Sequence, residues 1–269
     1  MFDADDAIEA GAVLRDPTTV PVGELVFADP PELHFEGFTE DTFAVLDRLR
    51  DKPDLEQFRI ERGAVDGIDR VAAHVMGPFA RYRDDLVVNF VAPSALRWET
   101  DRNVFSRLPK NDFGGGGCKS HVWLCLYRPP RRRLTDAQLS HSVSPRGFEV
   151  SLFVGELARD LLQHARARVA DDPDGFLGRV GEAFAGDGSG GQVRLEYAVR
   201  QRGATVEHVL DQPPTTLPDG LLRAQWLAIG VTFGRQQVIA WGPRLVTEAL
   251  AVVRRLWPLY RFLFGGRPA

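Results

Sequence analysis

The chain is poor in cysteine, with only Cys118 and Cys125 among its 269 residues. Two cysteines are too few for a disulfide scaffold, and no arrangement of Cys and His has the spacing of a structural zinc site. An apolar run of about 18 residues, long enough to span a membrane, is also absent. The acidic N-terminus lacks the pattern of a signal peptide. We therefore predict a cytoplasmic protein with reduced cysteines and with no metal, cofactor or membrane partner.

Lysine is also scarce, because Lys52, Lys110 and Lys119 are the only three and arginine supplies the remaining positive charge. The net charge is −4 and the isoelectric point is near 5.9. This balance excludes a generally basic nucleic-acid-binding protein but leaves open a local basic face. Hydrophobic residues make up 44% of the chain and charged residues 26%, so a substantial core is expected.

The distribution of proline, glycine and apolar residues predicts three regions. Residues 1–36 mix acids and prolines with short apolar runs, which indicates an extended N-terminal arm on the surface. Residues 37–185 are predicted to form an α+β core domain. The glycine-rich segment 186–191 follows as a linker or hinge. Residues 192–269 are predicted to hold a strand pair and a helical region packed on the same domain.

Five segments repeat apolar residues at helical spacing and are predicted to be helices: one from Thr39 to Pro53, then 55–76, 156–169, 174–184 and a last one from Pro243. In the second of these, Pro78 is expected to close the helix. In the last, Pro258 is expected to produce a kink and Gly265 to end the helix.

Alternating or β-branched runs predict strands at 86–91, 104–108, 122–127, 137–143, 148–154, 193–199, 205–210 and 229–233. Short turns join the three strands between residues 122 and 154, which favours an antiparallel meander. The predicted fold class is therefore α+β, with an antiparallel meandering sheet flanked by helices and a long kinked C-terminal helix.

Residues 114–117 are four consecutive glycines, and they precede Cys118, Lys119 and Ser120. The Lys-Ser pair superficially resembles the end of a phosphate-binding P-loop. The pattern G-x-x-x-x-G-K-[ST] fails, however, because Phe113 and Cys118 occupy its two glycine positions. A strand is also predicted where a P-loop needs a helix. The loop is therefore expected to connect strands and not to hydrolyse a nucleotide.

Positive charge and aromatic rings concentrate together between residues 98 and 133. The basic members are Arg102, Arg107, Lys110, Lys119, Arg128, Arg131, Arg132 and Arg133, and the rings are Trp98, Phe105, Phe113, Trp123 and Tyr127. Arginine beside exposed rings suits stacking on bases and pairing with phosphates. The alternative is that the rings fill the core while the arginines are solvated or paired with acids. The residues predicted to bind a ligand are Arg107, Lys110, Asn111, Asp112, Gly114, Gly115, Gly116, Gly117, Lys119, Trp123 and Arg128.

No residue is predicted to be catalytic. Cys118 and His121 could form a nucleophile–base pair, but residues three apart on a strand face opposite sides of a sheet. Cys125 lies in an apolar strand and is expected to be a small core residue. Neither a G-x-S-x-G elbow nor an H-E-x-x-H helix is present.

Several motifs are spread over residues 37–184, among them Gly37-Phe38-Thr39, Val104-Phe105-Ser106-Arg107, Lys110-Asn111-Asp112-Phe113-Gly114, Asp136-Ala137-Gln138-Leu139 and Gly147-Phe148-Glu149. Together they resemble a bacterial domain of unknown function that occurs alone and ahead of AAA-type motors similar to methylcytosine-dependent restriction GTPases. The resemblance implies an α+β domain that acts as a recognition or adaptor module. It supplies no catalytic residues, and this chain differs from the family in its more glycine-rich loop.

These observations favour a non-catalytic recognition or adaptor module of a bacterial defence or regulatory system. Its ligand would be a nucleic acid or a partner protein, such as a motor ATPase, bound at the basic and aromatic face. One alternative is an enzyme acting on a phosphorylated or nucleic-acid substrate through Lys110, Asp112 and Glu149. That alternative requires the three side chains to share a pocket.

A second alternative is a structural subunit that contacts a partner through its last helix. It requires an exposed apolar stripe, because a large exposed apolar patch usually marks a partner. The stripe would consist of Leu256, Trp257, Tyr260 and Phe264.

Overall fold

One antiparallel sheet organises the protein in the computed structural model, which describes residues 13–110, 116–186 and 190–266. The strands are β1 Pro109–Lys110, β2 Gly117–Cys118, β3 Val122–Leu126, β4 Ala137–Ser144, β5 Gly147–Val154, β6 Gln192–Gln201, β7 Ala204–Leu210 and β8 Trp226–Gly234. β1 and β2 pair with each other, and the other six form a sheet of order β3-β4-β5-β8-β6-β7. All neighbouring strands in this sheet are antiparallel, and β3-β4-β5 is the predicted meander.

The helices of the described ranges are α1 Glu40–Asp51, α2 Leu55–Glu61, α3 Gly77–Leu86, α4 Arg159–Asp171, α5 Pro173–Phe184, α6 Arg235–Trp241 and α7 Leu245–Phe264. A π-helical turn adjoins α3 at each end, at Ala72–Met76 and Val87–Val91. The predicted α+β fold class, with a long C-terminal helix, is confirmed. In the part of the chain that the structure describes, no helix has the length and apolar character needed to cross a bilayer.

The core lies on one side of the six-stranded sheet. In β5, Phe148, Val150 and Leu152 are buried, whereas Glu149 and Phe153 on the other face are half-buried and the small Ser151 between them is 6% exposed. Because successive side chains of a strand point to opposite faces, this alternation separates a covered face from a more open one. The helix α7 packs against β5 and against α4 and α5. A layer of helices therefore covers the apolar face of the sheet.

The last helix, α7, is a core element. Its Leu256, Trp257, Tyr260 and Phe264 are each 1% exposed or less. The Trp257 indole also donates a hydrogen bond from Nε1 to the Val20 carbonyl at 2.8 Å. Truncation of a fully buried tryptophan typically costs about 3–5 kcal/mol. The four residues form no exposed stripe, so the prediction that they contact a partner is wrong.

Residues 86–91 are helical, and the prediction of a strand there is wrong. They continue α3 into the second π-helical turn. Asn89, Phe90 and Val91 are all buried. A helix that is buried on several sides shows a continuous apolar run, which resembles the run of a buried strand. Pro78 does not close a helix either, because the π-helical turn Ala72–Met76 leads directly into α3 and Pro78 lies where the two join.

The predicted strand 104–108 is reduced to an isolated bridge between Phe105 and Leu124, followed by the two residues of β1. The predicted helix 55–76 is interrupted after α2 by turns that include Gly63 and Gly67, both with positive φ. Glycine adopts this backbone region without the steric penalty of other residues. Both differences leave less regular structure than predicted.

The described part of the N-terminal arm, residues 13–36, is extended but packs into the core. The Asp85 carboxylate accepts hydrogen bonds from the backbone N–H groups of His34 and Phe35, each at 2.9 Å. One turn along the helix, the Asn89 side chain accepts from the Glu32 N–H at 2.7 Å. Phe35 itself is buried. The arm is therefore anchored along the helix that begins with α3 and does not simply lie on the surface.

Candidate functional site

The outer edge of β3 is covered by the segment 99–108, which runs beside it without forming a long strand. The Ser106 N–H donates to the Trp123 carbonyl at 2.8 Å, and the Cys125 N–H donates to the Val104 carbonyl at 2.9 Å. This pairing brings the basic residues of the segment to the same edge of the sheet as the residues before and after β3. Most of the residues predicted to bind a ligand are therefore positioned by this edge.

Arg107 and Lys119 lie close to each other in this arrangement. The Lys119 N–H donates to the carbonyl of Leu108 at 2.8 Å, and Leu108 directly follows Arg107 in the chain. Leu108 is buried and Arg107 is exposed. Extended backbone alternates its side chains in this way. The arrangement places Arg107 on the outside of the edge, with Lys119 half-buried beside it.

The glycine run is described only in part. In the β1–β2 ladder, Lys110 pairs with Gly117. Gly116 has a φ of 38°, in the left-handed region that favours glycine. The strand β3 begins at Val122, so no helix dipole points at the loop and the P-loop interpretation is not supported. The predicted ligand-binding residues Asn111, Asp112, Gly114 and Gly115 lie outside the described residues.

Trp123 carries an arginine on one face of its ring. The Arg133 guanidinium carbon lies 4.4 Å from the indole centroid. Arg133 Nη1 also donates to the carbonyls of Asn103 at 2.7 Å and Phe105 at 2.8 Å. A cation–π contact of this kind contributes about 0.5–1 kcal/mol at an exposed site. Trp123 therefore fixes a cation at the edge, and this face of the ring is not open for stacking on a base.

Arg128 is buried, and we remove it from the ligand-binding residues. Its Nε and Nη2 donate to the Asp136 carboxylate at 3.1 and 2.6 Å, and its backbone N–H donates to the same group at 2.7 Å. The Asp16 carboxylate lies 3.7 Å from Nη1. Only 1% of Arg128 is exposed. The side chain closes a buried ion pair between the end of β3 and the start of β4, so it cannot contact a ligand at the surface.

The remaining members of the predicted basic and aromatic face divide into two groups. Trp98 and Tyr127 are buried, and Arg131 is paired with Asp160 at 3.2 Å. By contrast, four cations of this predicted face have no acidic partner among the described residues, namely Arg102, Arg107, Lys119 and Arg132. We call these four, together with Arg133 on Trp123, the sheet-edge basic surface. The rings thus largely fill the core, whereas several of the cations remain available.

Both cysteines and His141, which lie near this edge, are buried. Burial raises the pKa of the Cys125 thiol to about 12. Cys118 is also buried, and its Sγ donates to the Lys119 carbonyl at 3.3 Å. His141 contacts the Tyr82 hydroxyl at 2.8 Å, and burial lowers the pKa of its imidazole to about 3. In the ranges that the structure describes, no three His, Cys, Asp or Glu residues group into a metal site.

Glu149 lies on the more open face of the sheet, opposite Ser142 in β4 and Thr232 in β8. Burial raises the pKa of its carboxyl group above the ordinary value. A raised carboxyl pKa is one feature of a general acid, but it also arises wherever a carboxylate is desolvated. Because Asp112 lies outside the described residues, a pocket that unites it with Lys110 and Glu149 stays a prediction.

A second concentration of arginine was not predicted from the sequence. It consists of Arg168 on α4, Arg179 on α5 and Arg261 on α7, which line one cavity. These residues are far apart in the chain, so no local pattern links them. In the sequence, only Arg261 hints at this site. No acid lies three or four positions from it, so it has no partner for an ion pair along its own helix.

Comparison of the chain with protein-family models and with curated proteins finds no match. The resemblance to the bacterial domain that occurs ahead of AAA-type motors therefore stays a prediction.

Proposed function

We propose that the chain is a non-catalytic recognition module that binds a polyanion, with nucleic acid as the ligand class, through the sheet-edge basic surface. The observation that carries the proposal is that four cations at this one edge of the sheet have no acidic partner among the described residues. They are Arg102, Arg107, Lys119 and Arg132, and three of them are exposed. Cations that are not neutralised by the protein itself can exchange their counterions for phosphates.

The chemistry of the surface favours contacts to the phosphate backbone. Arginine presents a planar fork of N–H donors that matches two phosphate oxygens, and Arg133 is already oriented by its contacts to Trp123 and to two carbonyls. Because Arg133 covers that face of Trp123, that face offers no platform for stacking a base. We therefore expect binding that depends weakly on base sequence and strongly on the number of phosphates.

The net charge of the protein limits the distance over which the sheet-edge basic surface attracts a polyanion. The net charge is −4, so the protein as a whole does not attract a polyanion from a distance. Electrostatic interactions between exposed charges are screened beyond about 8 Å at physiological salt. Binding should therefore require direct contact with the edge and should weaken as salt is added.

From the motif resemblance alone, we further propose that this module serves a bacterial defence or regulatory system. In that setting it would deliver a nucleic acid to a partner protein such as a motor ATPase. The proposal gives the chain an adaptor role, in which recognition occurs here and chemistry occurs in the partner. Polyanion binding at the edge is required for this role and can be tested in the isolated chain.

The test compares two triple charge reversals by fluorescence anisotropy with a labelled single-stranded oligonucleotide at low salt. The edge variant is Arg102→Glu/Arg107→Glu/Lys119→Glu. The control variant, Arg200→Glu/Arg202→Glu/Arg223→Glu, makes the same change in net charge near β6 and β7, at the opposite edge of the sheet. We expect the edge variant to lose at least about 100-fold in affinity, because each hydrogen bond to a charged group contributes about 1.5–3 kcal/mol.

The control variant should lose much less affinity than the edge variant, since only the overall charge has changed in it. Circular dichroism should show that both variants are folded. Equal losses in the two variants would show that net charge, and not this surface, governs binding. Failure of the parent chain to bind any oligonucleotide at low salt would reject the proposed function itself.

A further inference from the structure

A cavity of about 250 Å³ lies on the helical side of the protein, away from the sheet-edge basic surface. Its lining consists of Val22, Arg168, Arg179, Pro258, Arg261 and Phe262. Three helices and the turn Val22–Glu24 supply these residues. Half of the lining is arginine, and among the described residues no acid lines the cavity.

Asp171 and Glu182 each lie three residues from a lining arginine, but among the described residues neither acid is paired with Arg168 or Arg179. Two other acids close in sequence are engaged elsewhere. Glu24, two residues from Val22, is paired with Arg15. Asp172, four residues from Arg168, caps α5 by accepting a hydrogen bond from the Gly175 N–H at 2.8 Å. Within the described ranges, Arg168, Arg179 and Arg261 form no ion pair. Three positive charges therefore line one space without an ion-pair partner among the described residues, and their mutual repulsion favours an anion there.

The arginines are held in place by an aromatic ring. The guanidinium carbons of Arg168 and Arg179 lie 5.3 and 4.7 Å from the centroid of Phe262. Arg179 Nη1 also donates to the Gly175 carbonyl at 2.5 Å. A guanidinium has five N–H donors, so most donors of Arg179 remain free for a ligand. The ring restricts both side chains before any ligand binds, which reduces the entropy lost on binding.

Arg261 adds a hydrogen-bond donor to this group of arginines. Its Nε is buried and has no hydrogen-bond partner in the structure. Buried donors are nearly always paired, and a buried donor without a partner costs free energy. An anion in the cavity would provide the acceptor that this nitrogen lacks.

We propose that this cavity binds a phosphoryl dianion, either as free phosphate or as the phosphoryl group of a small phosphomonoester. Three guanidinium groups match a doubly charged group with several acceptor oxygens better than they match a single carboxylate. The volume corresponds to roughly eight water molecules at about 30 Å³ each, which leaves space beyond a phosphoryl group. Val22, Pro258 and Phe262 offer apolar contact to the organic part of a phosphomonoester.

The test is isothermal titration calorimetry of the full chain with inorganic phosphate, glycerol 3-phosphate and succinate at constant ionic strength and pH 7.5. We expect both phosphates to bind and succinate to bind at least tenfold more weakly. Tighter binding of glycerol 3-phosphate than of inorganic phosphate would identify a phosphomonoester site, and the reverse order would identify a site for free phosphate. Succinate binding as tight as that of both phosphates would overturn the assignment.

The variants Arg168→Gln and Arg179→Gln should each weaken phosphate binding at least tenfold. Arg261→Lys keeps the charge but loses the planar fork, so an intermediate loss is expected. Arg168 is exposed, and its replacement should leave folding intact. The triple variant of the sheet-edge basic surface should bind phosphate like the parent chain. Unchanged phosphate binding in both glutamine variants, or loss of binding only in the edge variant, would refute the cavity as the site.

Discussion

The buried ion pair between Arg128 and Asp136 leads to a quantitative prediction for Asp136→Ala. The Asp136 carboxylate accepts three hydrogen bonds from Arg128, at 2.6, 2.7 and 3.1 Å. Asp136 is fully buried and Arg128 is 1% exposed. The substitution therefore leaves a buried guanidinium whose nearest remaining acid is Asp16, at 3.7 Å. Removal of one partner of a buried pair costs about 3–5 kcal/mol, so we expect a loss of this size in the free energy of unfolding.

The measurement is urea denaturation followed by circular dichroism, with the denaturation slope compared between variants to confirm that the unfolded states are alike. Arg128→Met/Asp136→Leu should recover most of the lost stability, because replacing both charges by apolar groups removes the uncompensated charge. An exposed ion pair provides the comparison. Arg50 lies 2.8 Å from Asp47 at the surface, and Arg50→Ala should change stability little.

The reasoning would be refuted by a loss of less than about 1 kcal/mol in Asp136→Ala, since surface ion pairs contribute only that much. It would also be refuted if the double variant were as unstable as Asp136→Ala. A third informative result concerns binding. If Arg128→Met/Asp136→Leu folded normally but no longer bound an oligonucleotide, Arg128 would belong to the ligand-binding residues after all.

Two further predictions follow from the buried titratable groups. Burial holds the pKa of His141 at about 3, below its ordinary value of 6.5. The contribution of this group to stability is therefore fully present above about pH 6.5 and is lost as the pH falls toward 3. The free energy of unfolding should fall by at most about 1.4 kcal/mol per pH unit in this range. Urea denaturation at pH 7 and pH 5 should therefore show a smaller pH dependence for His141→Phe than for the parent, and equal dependence would contradict this. Burial raises the pKa of Cys125 to about 12, and Cys118 is buried as well. A thiol reagent at pH 8 should therefore label neither cysteine until the protein is denatured. Rapid labelling of the native chain would contradict this prediction.

The elements that the sequence predicted correctly are those whose pattern is local. The meander β3-β4-β5 follows from alternating side chains between short turns, and Asp172 marks the start of α5 through its hydrogen bond to the Gly175 N–H. Residues 86–91 were misassigned because helix and strand cannot be separated by periodicity when a segment is buried on several sides. The packing of the N-terminal arm depends on Asp85, which is distant in the chain.

The candidate sites, like the N-terminal arm, depend on contacts that the local sequence pattern does not reveal. Composition identified Arg107 and Lys119 as available cations, but it could not separate them from Arg128, whose partner Asp136 lies across a turn. In the sequence Arg128 and Arg132 look equivalent, yet one is buried and the other is exposed. Arg168, Arg179 and Arg261 meet only after three helices have packed, so tertiary structure alone reveals their cavity.

The central claim is that the β3-edge cations without an acidic partner among the described residues bind a polyanion. The salt dependence of oligonucleotide binding tests this claim most directly. The logarithm of the association constant falls linearly with the logarithm of the salt concentration, with a slope of about 0.7–0.9 for each phosphate that is neutralised. The triple variant Arg102→Glu/Arg107→Glu/Lys119→Glu should therefore show a slope smaller in magnitude by about 2–3 than that of the parent. The variant Arg200→Glu/Arg202→Glu/Arg223→Glu should keep the parent slope. An unchanged slope in the first variant would contradict the claim.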